Sequence, residues 1–453
     1  MRVVIVGGGI SGLSAAYYLS KRGVASTLVE REARLGGVIR TERIHDCVLE
    51  AGPDSFLAQK PWALELIREL GLGDDVIGSN DHLRVTYVVK RGRLVPLPDG
   101  LMLMIPTKIL PLLGTPLLGW GTKLRMGLEW FRRPRGGEPA DQSVAAFVAG
   151  HYGQEAVDYL AEPLLAGVYG GDPNELSVNS VLPRFVDLER QYGSLTKGVL
   201  HERRKVAREA SGMPLFQTLK GGLGQLVDAL LAQTSPAPQV VRGSAEAVET
   251  AGGAWRVRVD GDWIEADRVI LGCQAYQAAA LLGSVDVELA ALLDAIPYSN
   301  SITISLGYEK SGFHHPLNGF GFLVPKSERE LLVACTWVAT KFSHRVPPDR
   351  AVLRCFTGDE SALTLSDNEL VERVRAELCA IMGVTETPLF THIARWPRSM
   401  AQYTVGHAAR VEEIESRLRR LPGLHLTGNA YHGIGVPDCI RLGRESAHPN
   451  ASA

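Results

Sequence analysis

A short apolar run at residues 2–6 gives way to three consecutive glycines, Gly7, Gly8 and Gly9, and then to a helix-forming segment from Ile10 to Arg22. Gly7, Gly9 and Gly12 satisfy G-x-G-x-x-G at this strand-to-helix junction. Gly7 suits the tight turn, Gly9 lets backbone approach a pyrophosphate, and Gly12 lets the helix pack on its strand. The helix N-terminus offers free N–H groups and a partial positive charge to phosphates. A second strand, "ASTLVE", ends at Glu30, 18 residues beyond Gly12. A carboxylate there accepts hydrogen bonds from an unphosphorylated ribose. Strand, glycines, helix and acid together point to a dinucleotide, and at this stage NAD and FAD are equally compatible.

Composition narrows the class. A formal net charge of −2 with 22% charged residues argues against nucleic acid as the main partner. The basic clusters Arg132–Arg135 and Arg203–Arg208 read as solvated surface. The six cysteines include no C-x-x-C pair, which suits reduced thiols in a cytoplasmic protein and offers no metal site. Neither HExxH nor GxSxG occurs, and the adjacent pair His314-His315 reads as two unrelated surface residues. The apolar N-terminus lacks the order of a signal peptide, because Gly7–Gly9 interrupt it and Lys21-Arg22 follow it. Residues 100–120 approach the length of a membrane span. Pro106, Pro111, Pro116 and Lys108 argue against a continuous helix there, leaving a pocket wall or a bilayer-touching surface.

Further elements follow from pattern. A helix is expected in "KPWALELIRELGLG", with Pro61 in its first turn and Gly71 at its exit. A hairpin is expected at Arg91-Gly92, and another around Asp260-Gly261 with a buried strand after it. Pro/Gly-punctuated apolar helices are expected over 97–174, and amphipathic helices over 221–233, over 365–383 (capped by Ser366 or Asp367, stopped by Gly383) and before Pro422-Gly423. "SITISLGYEK" alternates as a half-buried strand.

The segment "ERxxxLGGxxRT", Glu30 to Thr41, decides the cofactor. It resembles the second half of the FAD fingerprint of glutathione-reductase-like flavoproteins, in the branch of amine oxidases and phytoene desaturases. In that resemblance the Gly36-Gly37 turn approaches the diphosphate and Arg40 can face its charge. The late turn "TGNAYHGIGVPD" (427–438) matches the one that brings a helix N-terminus to the flavin. The chain resembles most closely the oxygen-dependent porphyrinogen oxidases, through "EAGPDSFL" (50–57), "EPLLAGVYGGDPNELS" (162–177), "FQTLKGGLGQLVDAL" (216–230), "GFGFLVP" (319–325), "RWPRSMAQYTVGH" (395–407) and "GNAYHGIGVPDCI" (428–440).

The resemblance implies an α/β (overall α+β) protein with three domains. These are a Rossmann-like FAD-binding domain (1–80, 212–285, 386–447), a mixed-sheet substrate domain (81–96, 175–211, 286–385) and a helical, membrane-binding-like domain (97–174), followed by a tail (448–453). It implies non-covalent FAD held by Gly7, Gly8, Gly9, Ile10, Ser11, Gly12, Glu30, Arg31, Gly37, Gly52, Pro53, Asp54, Ser55, Trp396, Ile434, Gly435 and Val436, with a weaker assignment at Glu246. For substrate it suggests Gly167, Leu323, Thr336 (with Trp337) and Phe356. The implied chemistry is removal of six electrons from a porphyrinogen through flavin N5, with O₂ reoxidising the flavin to give H₂O₂ and no acid–base side chain needed. Thr86 stands where the plant and animal protoporphyrinogen enzymes place a basic residue. That departure and "GVPDCI" favour coproporphyrinogen III over protoporphyrinogen IX. Arg43, Lys60, Arg184 and Arg203 are candidate propionate partners. The resemblance also allows peripheral membrane contact and a homodimer. Rival readings are another amine- or polyene-oxidising flavoenzyme, a non-catalytic flavin-binding protein, and an NAD-dependent dehydrogenase.

Overall fold

The computed structural model describes residues 1–134, 140–206 and 213–448; the ends of both basic clusters, Arg135 and the 204–208 side chains, and the tail beyond 448 lie outside the described residues. The chain forms two compact units, one of residues 1–78, 215–298 and 408–453, the other of 79–214 and 299–407.

The first unit is built on a five-stranded sheet with spatial order Gln239–Arg242, Ser26–Glu30, Val3–Val6, Arg268–Leu271, Leu424–Leu426. Every pairing in it is parallel. Helices cover such a sheet on both faces, so its inner strands are largely apolar; Val3–Val6 and Arg268–Leu271 are buried at every position, the one charged residue, Arg268, donating to Ser446 O (2.6 Å) and His448 O (2.7 Å). The helices Ile10–Ser20, Pro61–Glu69, Gly224–Gln233 and Val436–Ser446 share one apolar core with these strands. The first helix stops at Ser20, short of the expected Arg22, and Gly23 takes a left-handed φ of +70° beyond it. The 221–233 helix begins only at Gly224, because Gly222 turns at φ +103° and any side chain there would strike Thr41. The chain leaves the parallel sheet through an antiparallel meander, Ala245–Ala251, Ala254–Val259 and Asp262–Ala266. Its second turn is the expected one, with Asp260 and Gly261 both at positive φ (47° and 92°).

The second unit contains a seven-stranded mixed sheet in the order Phe390–Ala401, Tyr298–Glu309, Arg350–Thr357, Ala334–Trp337, Gly321–Leu323, Thr86–Lys90, Arg93–Pro96. Gly321–Leu323 and Thr86–Lys90 pair in parallel, and the neighbours of each pair antiparallel. One face, carrying Ile302, Ile304, Leu353, Cys355, Cys335, Phe322 and Trp337, packs against the helix Asp367–Met382. That helix has Ser366 as its N-cap in a reciprocal box with Glu369, and Gly383 ends it in a left-handed conformation.

The 97–174 region opens with a small hairpin, Leu101–Met102 and Ile105–Pro106, before the short helices begin. Among the described residues no helix is long and apolar enough to cross a membrane. These helices are tied together by a buried polar cluster. Glu129, 2% exposed, accepts from Leu195 N (2.6 Å) and Ser194 Oγ (2.8 Å) and meets His151 Nδ1 at 3.1 Å. Burial pushes the Glu129 carboxyl pKa up, but the hydrogen bonds from His151, Ser194 and Leu195 outweigh it and hold the group below its ordinary value. His315 is a correction: it is half-buried, with its ring centroid 5.0 Å from that of Trp337, and burial lowers its pKa. His314 is exposed, as expected.

Candidate functional site

In the first unit the five parallel strands, numbered by chain position, run 3-2-1-4-5. The order therefore reverses between Val3–Val6 and Arg268–Leu271, and ligands of open α/β sheets bind at the carboxyl ends of strands flanking such a switch. The glycine-rich turn stands there. Gly7, at φ +103°, donates its N–H to Val29 O (2.9 Å), and a Cβ on it would lie 2.9 Å from Gly272 of the adjoining strand end. A Cβ on Gly12 would fall 2.0 Å from Gly7 O, and one on Gly8 2.4 Å from Leu35 Cδ2. Gly9 is different: nothing lies within 4 Å of the position its Cβ would take. Gly9 is the N-cap of Ile10–Ser20, which has no side-chain cap and no acid in its first turn, so its leading amides face that open space uncapped.

Glu30 is fixed beside this turn, its Oε2 accepting from Gly8 N (2.7 Å) and its Oε1 from Glu32 N (2.9 Å). Arg31 is exposed and hydrogen-bonds Glu32. The Gly36-Gly37 turn closes over the first one: Gly36 N donates to Gly8 O (2.8 Å), and a Cβ on Gly37 would come within 3.1 Å of Gly9 Cα. Arg34, which sequence reasoning passed over, holds this turn through Leu35 O and Ile39 O (both 2.8 Å) and Gly37 O. Arg40, expected to face a diphosphate, is exposed and pairs with Glu42. Gly52 lies flush on the same segment, since a Cβ there would sit 2.0 Å from Val38 O; Pro53, Asp54 and Ser55 follow half-buried.

From the far end of the sequence, Ile434 and Gly435 lead into the helix at Val436, with Asp438 accepting from Gly435 N (3.2 Å) and Lys60 Nζ (2.6 Å). The buried Thr427 hydroxyl, beside Gly272, has no protein hydrogen-bond partner. Glu246 is exposed on the meander and pairs with Arg258. Trp396 belongs to the second unit, half-buried on the strand Phe390–Ala401.

The residues of the first unit thus fit a dinucleotide. An uncapped helix N-terminus opens on space a side chain would fill, an anchored carboxylate stands beside it, and an orphaned hydroxyl lies buried near the switch.

In the second unit, the sheet face opposite the apolar core carries three of the four expected substrate residues, Leu323, Thr336 and Phe356. Register sets Leu323 beside Ala334, Ala334 beside Phe356, and Thr336 beside Gly321. A Cβ on Gly167, in the helix Glu162–Tyr169, would lie 3.2 Å from Leu323 Cδ2. Three of the four suggested propionate partners are engaged elsewhere: Lys60 with Asp438, Arg184 with Glu202 (2.5 Å) and Arg203 with Thr107 (2.7 Å). Arg43 lies on the hairpin strand Thr41–Ile44, exposed. The same sheet face carries polar residues that sequence reasoning missed, Thr303, Ser305 and Arg354. Their signal was present in the alternation of "SITIS" and in an arginine inside the apolar run "VLRCF".

A profile of the family described as flavin containing amine oxidoreductase matches residues 10–448. The chain belongs to this family. It is an FAD-dependent oxidoreductase, mixed α/β in fold. Over 98% of its length it is 34% identical to coproporphyrinogen III oxidase of Bacillus subtilis (strain 168), covering 96% of that protein. It is 32% identical to protoporphyrinogen oxidase of Homo sapiens, with 98% and 97% of the two chains covered. A solved structure of a candidate protoporphyrinogen oxidase from Exiguobacterium sp. 255-15 superposes with a TM-score of 0.88 at 30% identity, covering 98% of this chain and 97% of that one.

Proposed function

We propose that this flavoenzyme oxidises a porphyrinogen to the porphyrin in haem biosynthesis, with coproporphyrinogen III as substrate and O₂ as electron acceptor. The observation that carries the reading is end-to-end similarity to coproporphyrinogen III oxidases of several bacteria, at 34% identity for two of them. The neutral Thr86 on the strand beside Gly321 supports it. Protoporphyrinogen IX is the second reading, favoured by the human relative.

When bound, FAD would supply a hydride acceptor for the activated meso carbons of a porphyrinogen and a route for those electrons to O₂, with H₂O₂ as the reduced product. The tasks left to the chain are binding and exclusion. The amides after Gly9 would hold the diphosphate, Glu30 would accept from the ribose, and Gly52–Ser55 and Ile434–Val436, all of the same unit, would border the rest of the cofactor. Gly167, Leu323, Thr336 and Phe356 keep the macrocycle flat and dry.

The glutathione-reductase-like type of the cofactor domain, its division from a substrate domain and a helical domain, and a cytoplasmic location are part of the same proposal. So is peripheral bilayer contact through the strongly exposed Ile109, Leu110, Trp120, Leu124, Leu128 and Phe131. A parallel assay of coproporphyrinogen III and protoporphyrinogen IX, following porphyrin fluorescence and peroxide, tests the function. Faster oxidation of the four-carboxylate substrate is expected. Full flavin content with neither porphyrinogen oxidised would overturn it.

A further inference from the structure

The helix Glu162–Tyr169 carries Gly167 and is interrupted at both ends. Pro163 has no N–H to give to the preceding turn, and the chain before it, Val157–Ala161, widens into a π-helical turn. At the other end Gly170 leaves the helix at a left-handed φ of +60°. A short helix between two such breaks is held in place by side chains rather than by a continuing helix. Gln402 ties down the C-terminal end, donating from Nε2 to Tyr169 O (2.8 Å) and Ser299 Oγ (2.9 Å). The N-terminal end depends on Glu162, which is buried. Its Oε2 accepts from Lys326 N (3.0 Å) and its Oε1 from Arg329 Nη2 (2.7 Å). The same Nη2 donates to Val324 O (2.8 Å), the carbonyl next to Leu323. Arg329 therefore joins the start of the helix to the backbone beside Leu323. Across that join a Cβ on Gly167 would stand 3.2 Å from Leu323 Cδ2. A second ionic tie, Lys326 Nζ to Asp172 (2.9 Å), has its lysine 69% exposed and is screened by water, so it contributes little. The largely buried pair of Glu162 and Arg329, with its added bonds to backbone, is the stiffer one.

We propose that Arg329, acting through Glu162, is a positioning residue that sets the separation between Gly167 and Leu323 and so the fit of the flat substrate against them. The inference rests on the porphyrinogen reading given above and deepens it. A planar macrocycle gains dispersion energy only while its walls stay at contact distance, and a gap of about 0.5–1 Å forfeits a quarter to a half of that attraction. The tie acts on the walls and not on the substrate's carboxylates, so it serves four- and two-carboxylate porphyrinogens alike. Arg329 takes no part in the redox step.

The test compares wild type with Arg329→Met, Glu162→Gln and Gly167→Ala, and with Gly167→Ala placed in each of the other two. Binding of coproporphyrin III and protoporphyrin IX is titrated by fluorescence quenching, which needs no turnover, and kcat and KM are measured on both porphyrinogens. Flavin content and melting temperature are recorded for each variant. Arg329→Met should weaken both porphyrins by the same factor, about tenfold, with kcat/KM following mostly through KM. Glu162→Gln, which keeps one acceptor oxygen, should lie between, and it carries the test if the methionine variant does not accumulate. A merely structural ion pair would not move the coupling to Gly167. In wild type the Gly167→Ala methyl presses on Leu323 and should cost about tenfold in porphyrin binding, whereas beside Arg329→Met the helix can yield and the same methyl should cost about threefold or less. Equal costs of Gly167→Ala in both backgrounds would overturn the assignment. So would unchanged porphyrin binding in Arg329→Met with full flavin, or a loss confined to the four-carboxylate porphyrin. Wild type that binds the porphyrins but oxidises neither substrate would overturn the function, while the binding arm still judges Arg329. Wild type that binds neither porphyrin would overturn both.

Discussion

Replacing Gly9 and Gly12 separately divides the role of the first turn in the fold from its role in holding FAD. A Cβ at Gly12 would sit 2.0 Å from the Gly7 carbonyl oxygen, whereas ordinary contact begins near 3.4 Å, so helix and turn must part by about 1.4 Å. Neither side gives easily. Gly7 is pinned by its bond to Val29 O, and the helix is clamped from behind, where a Cβ on Gly443 would come within 2.3 Å of Ser11 O. Overpacking of this kind costs about 1–3 kcal/mol in fold stability. A shift of that size also misaligns the leading amides. Losing two charge-assisted hydrogen bonds at about 1.5–3 kcal/mol each would weaken FAD by roughly 10²–10⁴-fold. At Gly9 the added carbon meets no protein atom, and its φ of −72° suits any residue. Gly9→Ala should therefore leave the melting temperature of the FAD-free protein essentially unchanged while the methyl group intrudes on the diphosphate. The assay is acid-released FAD per mole of protein, then reconstitution followed by quenching of flavin fluorescence, beside thermal melting without FAD. Gly12→Ala should lose both stability and cofactor, and Gly9→Ala cofactor alone. Gly9→Ala binding FAD as tightly as wild type would refute the placement of the diphosphate at this helix end.

The remaining predictions concern pH and membranes. His425, on the last strand of the parallel sheet, has its pKa lowered to about 4 by burial and by the nearby charge of Arg268. The unfolded chain binds this proton near pH 6.5 and the folded one does not, so stability is full above that pH and drains away as pH falls towards 4. The loss is about 2 kcal/mol by pH 5 and about 3 kcal/mol in all. Urea denaturation of wild type and His425→Gln at pH 7.5 and 5 should show the acid loss reduced by that amount in the variant; equal losses would contradict it. On the helical face, Leu110 and Leu124 are 82% and 67% exposed. Leu110→Glu with Leu124→Glu should abolish co-sedimentation with vesicles containing anionic lipid and leave flavin content intact; unaltered sedimentation, or none by wild type, counts against bilayer contact.

What was legible in the sequence was what chain-local sterics dictate. Gly12 is required by a contact within the turn it helps form, and Gly7, Gly23, Gly261 and Gly383 by their own positive φ, so each could be read without a partner. Asp260-Gly261 and Ser366 likewise act within a few residues of themselves. Long-range pairing was not legible. Nothing near Lys60 in the chain announces Asp438, and nothing near Arg184 announces Glu202 as more than one acid among many, so these cations were open to assignment as substrate partners until their contacts were known. His315 fails for the same reason, because Trp337 reaches it only through the folding of the sheet.

Arg354 marks the boundary between the two cases. Strand alternation already set it opposite in facing to Cys355, and an arginine in a buried strand is a departure from the apolar pattern that local reasoning can detect. Its ladder partners, Thr336 and Ser305, come from strands 18 and 49 residues away, and only their register turns an oddity of composition into a polar face. Residues that break a local rule in an otherwise consistent segment mark functional or strained sites. The same logic applies at Gly9, where the backbone tolerates any side chain and the space beside it is what makes glycine necessary.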